Sequence, residues 1–204
     1  MAQQLINDRS PRIGAVVLAA GASARLGFPK QLIVHEGEPL VRRIALAALE
    51  AGADPVVVVL GASADMIAPA LEGLAPVRVI VNHEWTKGLA SSLAAGITSV
   101  FADDRCEAVL VTLADQPLVD AAALKRLMAA FDAKRHIVAS AYDDTIGVPA
   151  VFAREHAAEL MRLSGDTGAS RWLRDRVTEV TPIPLRGAGL DIDTAADVAG
   201  LNPD

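Results

Sequence analysis

Leu18-Ala19-Ala20-Gly21-Ala22-Ser23-Ala24-Arg25-Leu26-Gly27-Phe28-Pro29-Lys30-Gln31-Leu32 decides how the rest of the chain is read. It continues an apolar run, residues 13–20, that predicts a buried strand. Small residues from Ala19 to Ala24 leave the backbone bare, so its N–H groups can approach a ligand. Gly21 and Gly27 are expected to permit backbone angles that other residues resist. Arg25 and Lys30 bring two cations to the same loop. A strand that opens into a bare loop with two cations is a place for a polyphosphate. Two better-known phosphate loops are excluded. The spacing of Gly21 and Gly27 does not make G-x-G-x-x-G, and Pro29 stands before Lys30 where a Walker loop needs glycine.

The 204 residues suffice for one substantial domain, and we expect a single domain over residues 1–204 with a loose lead-in at 1–12. Aromatic residues are only 3%, so Ala, Val and Leu must build the core, which suits Ala-rich helices lying close on a Val-rich sheet. The net charge is −6, without the basic stripe of a nucleic-acid binder, so no nucleic-acid partner is expected. An anionic substrate must then be captured by local cations rather than by the overall field. Cys106 is the one cysteine, which excludes an internal disulfide and a Cys-rich metal site. It is expected to pack as a small residue near a strand start. Residues 1–11 are polar and lack the apolar core of a signal peptide, and no apolar run reaches membrane-spanning length. The expected compartment is the cytoplasm, with no membrane partner.

Strands are expected at residues 13–19, 55–60, 77–81, 108–113, 137–141 and 179–183, with a short one at 148–152. Helices are expected at 39–51, 62–71, 88–101, 120–131, 154–163, 167–177 and 194–201. Asp120 is a plausible N-cap, and Pro69 should shorten or kink its helix. Alternating strands and helices imply an α/β fold, a Rossmann-like three-layer, mostly parallel sheet of about seven strands. Ligands of such sheets sit beyond the carboxyl ends of the strands.

Leu113-Ala114-Asp115-Gln116-Pro117 ends the fourth expected strand and can face the same cleft as the cation loop. In isolation Asp115 reads as a turn or capping residue. Beside the cation loop it reads as a natural ligand for Mg²⁺, which takes oxygen donors together with substrate phosphates. In Leu190-Asp191-Ile192-Asp193-Thr194-Ala195-Ala196-Asp197, alternation puts Asp191 and Asp193 on one side, while Thr194 and Asp197 form a capping box. In Asn82-His83-Glu84-Trp85-Thr86-Lys87-Gly88-Leu89-Ala90-Ser91-Ser92, bare backbone and hydroxyls can read a base edge, and Ser91 or Ser92 could equally serve as an N-cap. His35, His83, His136 and His156 have no metal-ligand spacing. Ser23, Ser91 and Ser92 lack a nucleophile-elbow setting.

The opening stretch resembles the L-A-A-G-x-S-x-R-x-G-x-P-K-x-L signature of the MobA-like nucleotidyltransferases, and the resemblance runs in order along nearly the whole chain. Leu113 to Pro117 is similar to the family's L-A-D-Q-P segment, whose Asp is a metal ligand. Leu190 to Asp197 is similar to D-I-D-T-P-E-D-L, which implies Asp193 as the second ligand and Asp191 as the weaker candidate. The resemblance further implies nucleotide binding by Leu18, Ala19, Ala20, Gly21, Arg25, Lys30, Asn82, Gly88 and Ser92, with Lys30 and Arg25 as the catalytic cations. Gly147-Val148-Pro149-Ala150-Val151-Phe152 and Gly165-Asp166-Thr167-Gly168-Ala169-Ser170-Arg171 are similar to the family's acceptor-side segments. Gly147, Pro149, Asp166 and Arg171 are carried over from them.

Many relatives have His where Val148 stands and Arg where Ser170 stands, and Arg171 comes one residue late. Cytidylyl-transferring members tend to have A-A-G where guanylyl-transferring ones have A-G-G. Ala19-Ala20-Gly21 therefore implies transfer of CMP from CTP to a molybdopterin-type acceptor. The same resemblance implies a molybdenum hydroxylase apoenzyme as recipient of the product. Alternatives are a relative using GTP or a sugar or polyol phosphate, and a non-catalytic protein of cofactor maturation.

Overall fold

A computed structural model describes residues 10–132 and 134–201. The lead-in expected at 1–12 falls mostly outside the described residues. Nine strands are described: β1 (Ile13–Ala19), β2 (Val34–His35), β3 (Glu38–Pro39), β4 (Val56–Leu60), β5 (Arg78–Val81), β6 (Ala108–Leu113), β7 (Ile137–Tyr142), β8 (Thr145–Ala153) and β9 (Thr181–Pro184). The α-helices are α1 (Leu40–Glu50), α2 (Ala64–Ile67), α3 (Leu89–Phe101), α4 (Ala121–Ala130), α5 (Ala157–Leu160), α6 (Ala169–Arg174) and α7 (Ala195–Leu201).

Seven strands form one sheet in the order β5-β4-β1-β6-β8-β7-β9, and β2 and β3 form a separate ribbon. β1 pairs in parallel with β4 and β6, and β4 with β5. β1 and β4 are buried along their whole length because both faces are covered, which is why they read as unbroken apolar runs. Ala15, Val17 and Ala19 face α1 and α4, and Val16 and Leu18 face α3 on the other side. The low aromatic content works as expected: on Gly96 of α3 a Cβ would collide with Val16, so the helix lies close against the sheet.

β8 is the departure. It runs antiparallel between β6 and β7. The short strand expected at 148–152 is nine residues long and forms a hairpin with β7. The hairpin turns through Asp143 and Asp144, both at positive φ (46° and 59°), as a two-residue loop of right-handed twist requires. The β2–β3 ribbon was not expected, and its turn is likewise left-handed at Glu36 and Gly37. The helices expected at 154–163 and 167–177 contract to α5 and α6 with 3-10 turns beside them. In residues 62–71, α2 gives way to a 3-10 turn that carries Pro69, in line with the cost of proline inside a helix. Asp120 caps α4 by accepting from Ala123 N at 2.7 Å. Cys106 is buried, and its thiol reaches Asp54 O. No described helix is long and apolar enough to cross a membrane.

Candidate active site

β1 and β6 are neighbours in register, Leu18 opposite Leu113, so the chain leaves both strands at one edge of the sheet. After β1 the backbone is pinned by Gln31, which is 2% exposed. Its amide donates to Ala19 O and Gly21 O, both at 2.9 Å. Ser23 takes the left-handed conformation (φ 51°), and its hydroxyl accepts from Lys30 N at 3.1 Å. Gly27, at φ 74°, has the angle that favours glycine. Gly21 does not, and a Cβ on it would meet nothing within 4 Å. The expectation that Gly21 serves backbone strain is therefore corrected. The left-handed residue is Ser23, and Gly21 leaves open space beside the loop.

This folding delivers Lys30 to two carboxylates. Its ammonium lies 2.5 Å from Asp115 Oδ2 and 2.8 Å from Asp193 Oδ1. Arg25 reaches the other oxygen of Asp193 at 3.3 Å. Asp115 hangs from the end of β6. Asp193 arrives from the C-terminal segment, tied down where Ile192 N donates to Asp115 O at 3.0 Å. Ile192 is fully buried with Ile33, Leu40 and Leu201. The capping box is present: Asp197 Oδ2 accepts from Thr194 N at 2.7 Å and from Asp193 N at 3.0 Å, and Asp197 N donates to Thr194 Oγ1.

Burial works to lower the pKa of Lys30, but the charges and hydrogen bonds of Asp115 and Asp193 outweigh it and hold the ammonium above its usual value. The Lys30 hydrogen bond pulls Asp193 below the usual carboxylate range. Asp191 goes the other way. Desolvation, then the charge of Asp115, pushes its carboxyl up to about 6. Asp115 Oδ1 is buried without a hydrogen-bond partner. An orphaned oxygen beside a second carboxylate fits a hard divalent cation. Among the described residues no group of three or more His, Cys, Asp or Glu is placed to hold a metal. A site that shares its ion with substrate phosphates needs only one or two carboxylates.

Beside this cluster lies a cavity of about 430 Å³. Leu18, Val111, Leu113, Val148 and Leu89, at the start of α3, line it together with the 166–171 segment and Arg174.

The model of the MobA-like NTP transferase domain matches residues 15–180. The chain belongs to that family. It is 34% identical over 203 residues to nicotine blue oxidoreductase of Paenarthrobacter nicotinovorans, covering 94% of this chain and 97% of that protein. Rv0371c of Mycobacterium tuberculosis H37Rv superposes with a TM-score of 0.79 at 33% identity, over 94% of this chain and 97% of the other. A structure of Rv0371c in complex with manganese superposes at 0.78 with 30% identity, over 93% and 97%.

In this MobA-like nucleotidyltransferase chain, the structure brings Arg25, Lys30, Asp115 and Asp193 together and puts Leu18, Ala19, Ala20 and Gly21 at the end of β1 beside them. Asn82 and Ser92 meet each other at the start of α3. They are 8% and 2% exposed, and the Asn82 amide donates to Ser91 Oγ and Ser92 Oγ at 2.9 and 3.0 Å. These bonds hold the β5–α3 junction together. Neither serine caps α3, whose N-cap is Gly88. Gly88 sits at φ 100°, and a Cβ there would strike the backbone of Gly165. This close approach, with Ala90 N donating to Gly165 O at 3.1 Å, brings the 165–171 segment to the site. Asp166, Ser170 and Arg171 all line the cavity, so the one-residue displacement of the arginine keeps it in the lining. Val148 and Ser170 touch, Val148 N donating to Ser170 Oγ at 3.4 Å. Gly147 lies under the Tyr142 hydroxyl, and Pro149 O accepts from Ser140.

Sequence reading passed over Gln31 and Arg174, and gave Ser23 no structural role. Gln31 stands inside the P-K-x-L stretch, and its burial was the signal available only after folding. Gly61 was also missed: a Cβ there would come within 2.8 Å of both Ala20 Cβ and Ala20 O.

Proposed function

We propose that this protein transfers CMP from CTP to a phosphate of a molybdopterin-type acceptor, with release of pyrophosphate and dependence on Mg²⁺. The observation that carries the reading is the meeting of Lys30 and Arg25, from a bare loop, with Asp115 and Asp193 at the carboxyl edge of the sheet. An oxygen of the acceptor phosphate forms a bond to the α-phosphorus of CTP. The bond from that phosphorus to the pyrophosphate oxygen breaks, and pyrophosphate leaves with the electron pair. A phosphate monoester is already anionic, so no general base is required. Catalysis rests on position and charge. Lys30 turns from its carboxylates to the α-phosphoryl group and stabilises the charge that builds there. Arg25, the most exposed member of the cluster, holds the leaving pyrophosphate. Asp115 and Asp193 would hold a divalent ion, which supplies neutralisation of phosphate charge when bound. Support for that ion comes from the orphaned Asp115 oxygen and from the manganese complex of Rv0371c.

The base is read by the backbone around Ala20 and by the 82–92 segment, where Asn82, Gly88 and Ser92 stand and the Asn82 amide holds Ser91 and Ser92 in place. A methyl at Ala20 in place of hydrogen narrows the base site and favours a pyrimidine. The test is the thermal shift with CTP, GTP, ATP and UTP, each with and without Mg²⁺, since a ligand of the folded state stabilises by RT ln(1 + [L]/Kd). We expect the largest shift, dependent on Mg²⁺, with CTP. A preference for GTP overturns the pyrimidine assignment, and no shift with any nucleotide overturns the transferase reading. A second reading, a redox enzyme on this scaffold, is favoured by the name of the Paenarthrobacter relative. Dye reduction with a nicotinamide donor, in place of pyrophosphate release, would move the assignment there.

A further inference from the structure

The seven-stranded sheet has two outer edges, β9 and β5, and the chain treats them oppositely. An outer edge offers bare N–H and C=O groups to any strand that comes by, and proteins blunt such edges with proline, charge or a bulge. In a parallel pairing, alternate residues turn both backbone groups to the same neighbour. On β9, Leu185 N donates to Ala141 O at 3.0 Å, so Leu185, Ile183 and Thr181 turn inward to β7. The residues that turn outward are Pro182 and Pro184, and neither has an N–H to give. On β5, Asn82 N donates to Leu60 O at 2.8 Å, so Ile80 and Arg78 turn inward to β4. The residues that turn outward are Val79 and Val81. Among the described residues no group bonds to their N–H or C=O on that side. Both valines are also exposed, at 39% and 44%. The one charge on the strand, Arg78, is engaged with α3, where its guanidinium donates to Ser99 O at 3.0 Å. The device that closes β9 is missing from β5.

We propose that the β5 edge is the contact between two copies of this chain, paired antiparallel about a twofold axis between their Ile80 residues. The occupant follows from the strand's own symmetry. With residue 80 opposite residue 80, Val79 of one copy stands opposite Val81 of the other, on both sides of the axis. These are the outward-turned residues, so each such pair exchanges both of its N–H···O=C bonds. No outward backbone group of Val79 or Val81 is left unmet. The valines of both copies lie on one sheet face, the face of Val58 and Leu60, and pack across the strand pair. Arg78 falls opposite Asn82 and not opposite its own copy, so no like charges meet. The same patch serves both molecules, as a twofold contact requires. The contact is small beside a standard interface of about 1,600 Å², so the dimer is weak, with a Kd of about 10–100 µM.

Sedimentation velocity over about 1–500 µM protein brackets that Kd. Wild type is expected to pass from monomer to dimer across the range. Val79→Pro removes an N–H that nothing in the monomer uses and copies the device of β9. It should keep the fold and weaken self-association about tenfold or more. If the proline unfolds the chain, Val79→Lys/Val81→Lys asks the same question, because both positions are exposed and like charges then stand opposite each other across the contact. Val177→Lys, an exposed valine just before β9, should leave association unchanged, which separates strand pairing from general apolar adhesion. Ile80→Cys tests the register. Residue 80 and its copy form a non-hydrogen-bonded pair with Cα atoms about 4.5 Å apart, within reach of a disulfide, so mild oxidation should link the dimer. Wild type, whose Cys106 is buried, should not link. A chain that stays monomeric at about 500 µM overturns the proposal. A dimer that Val79→Pro leaves within about twofold of wild type, that Val177→Lys weakens as much, or that Ile80→Cys does not link also overturns it, since the contact then lies elsewhere. None of these readouts involves a nucleotide, so they hold whether or not the transferase reading does.

Discussion

Lys30 occupies the space between Asp115 and Asp193, where the proposed divalent ion would also have to bind. The ammonium and the ion therefore compete for the same oxygens. Lys30→Met should lower kcat by about two to three orders of magnitude, the scale for losing one preorganised charge in a transition state. The same variant should bind Mn²⁺ more tightly than wild type in the absence of nucleotide, read by titration calorimetry or electron paramagnetic resonance. Near-normal turnover would remove Lys30 from the catalytic role. Asp191 gives a pH prediction. Its carboxyl rises from 3.8 to about 6 on folding, so between those values the folded state keeps a proton that the unfolded state has lost. Stability from this group therefore falls as pH rises through that window, and the full penalty is present above it. Asp191→Asn should stabilise the protein at pH 8 and give no gain at pH 3.5. Solvent reaches the carboxyl, so the gain is of order 1 kcal/mol or less, read from denaturant midpoints at the two pH values.

At the scale of elements, two turns can be tested. The loop after β1 keeps its shape through the Gln31 amide, which satisfies two backbone oxygens at once. Gln31→Leu keeps the volume and strips both bonds, at a cost of about 1–3 kcal/mol in stability. It should also raise the KM for nucleotide more than it lowers kcat, because Lys30 remains while the bare backbone loses its form. The β7–β8 turn puts Asp144 at φ 59°, where only glycine is at ease. Asp144→Gly should therefore stabilise by about 0.5–1 kcal/mol with activity unchanged, measured by thermal unfolding and pyrophosphate release. Two consecutive aspartates flanked by β-forming residues are the sequence's own mark of this hairpin, but the short strand expected at 148–152 did not reach back to them.

Over the whole molecule, the site depends on joining the two ends of the sequence. Lys30 and Asp193 are 163 residues apart, and the small cluster of Ile33, Leu40, Ile192 and Leu201 holds the segment that bears Asp193 against the loop that bears Lys30. Ile192→Ala should cost about 2–5 kcal/mol, and the nucleotide-dependent thermal shift should shrink with it while the circular dichroism of the sheet stays native. A full shift in that variant would show that Asp193 keeps its place without the cluster.

What the sequence determined by itself is what local chemistry decides. The unbroken apolar runs of β1, β4 and β6 announce strands buried on both faces. Asp120 announces its cap and Thr194 with Asp197 its capping box, since these bonds span three residues. Arg25, Lys30 and Asp115 were legible because they follow strands that end at one edge of the sheet, and Asp193 joined them only through the resemblance of its segment to the family's D-I-D-T-P-E-D-L. The tertiary structure alone decided the rest. That β8 enters antiparallel between β6 and β7 depends on partners far along the chain, which periodicity does not encode. That Asn82 turns inward to Ser91 and Ser92, that Gln31 is buried, and that Val79 and Val81 stand at an open edge of the sheet all depend on which groups packing brings near. A residue's type states what it can bond, and only its neighbours in space determine what it bonds.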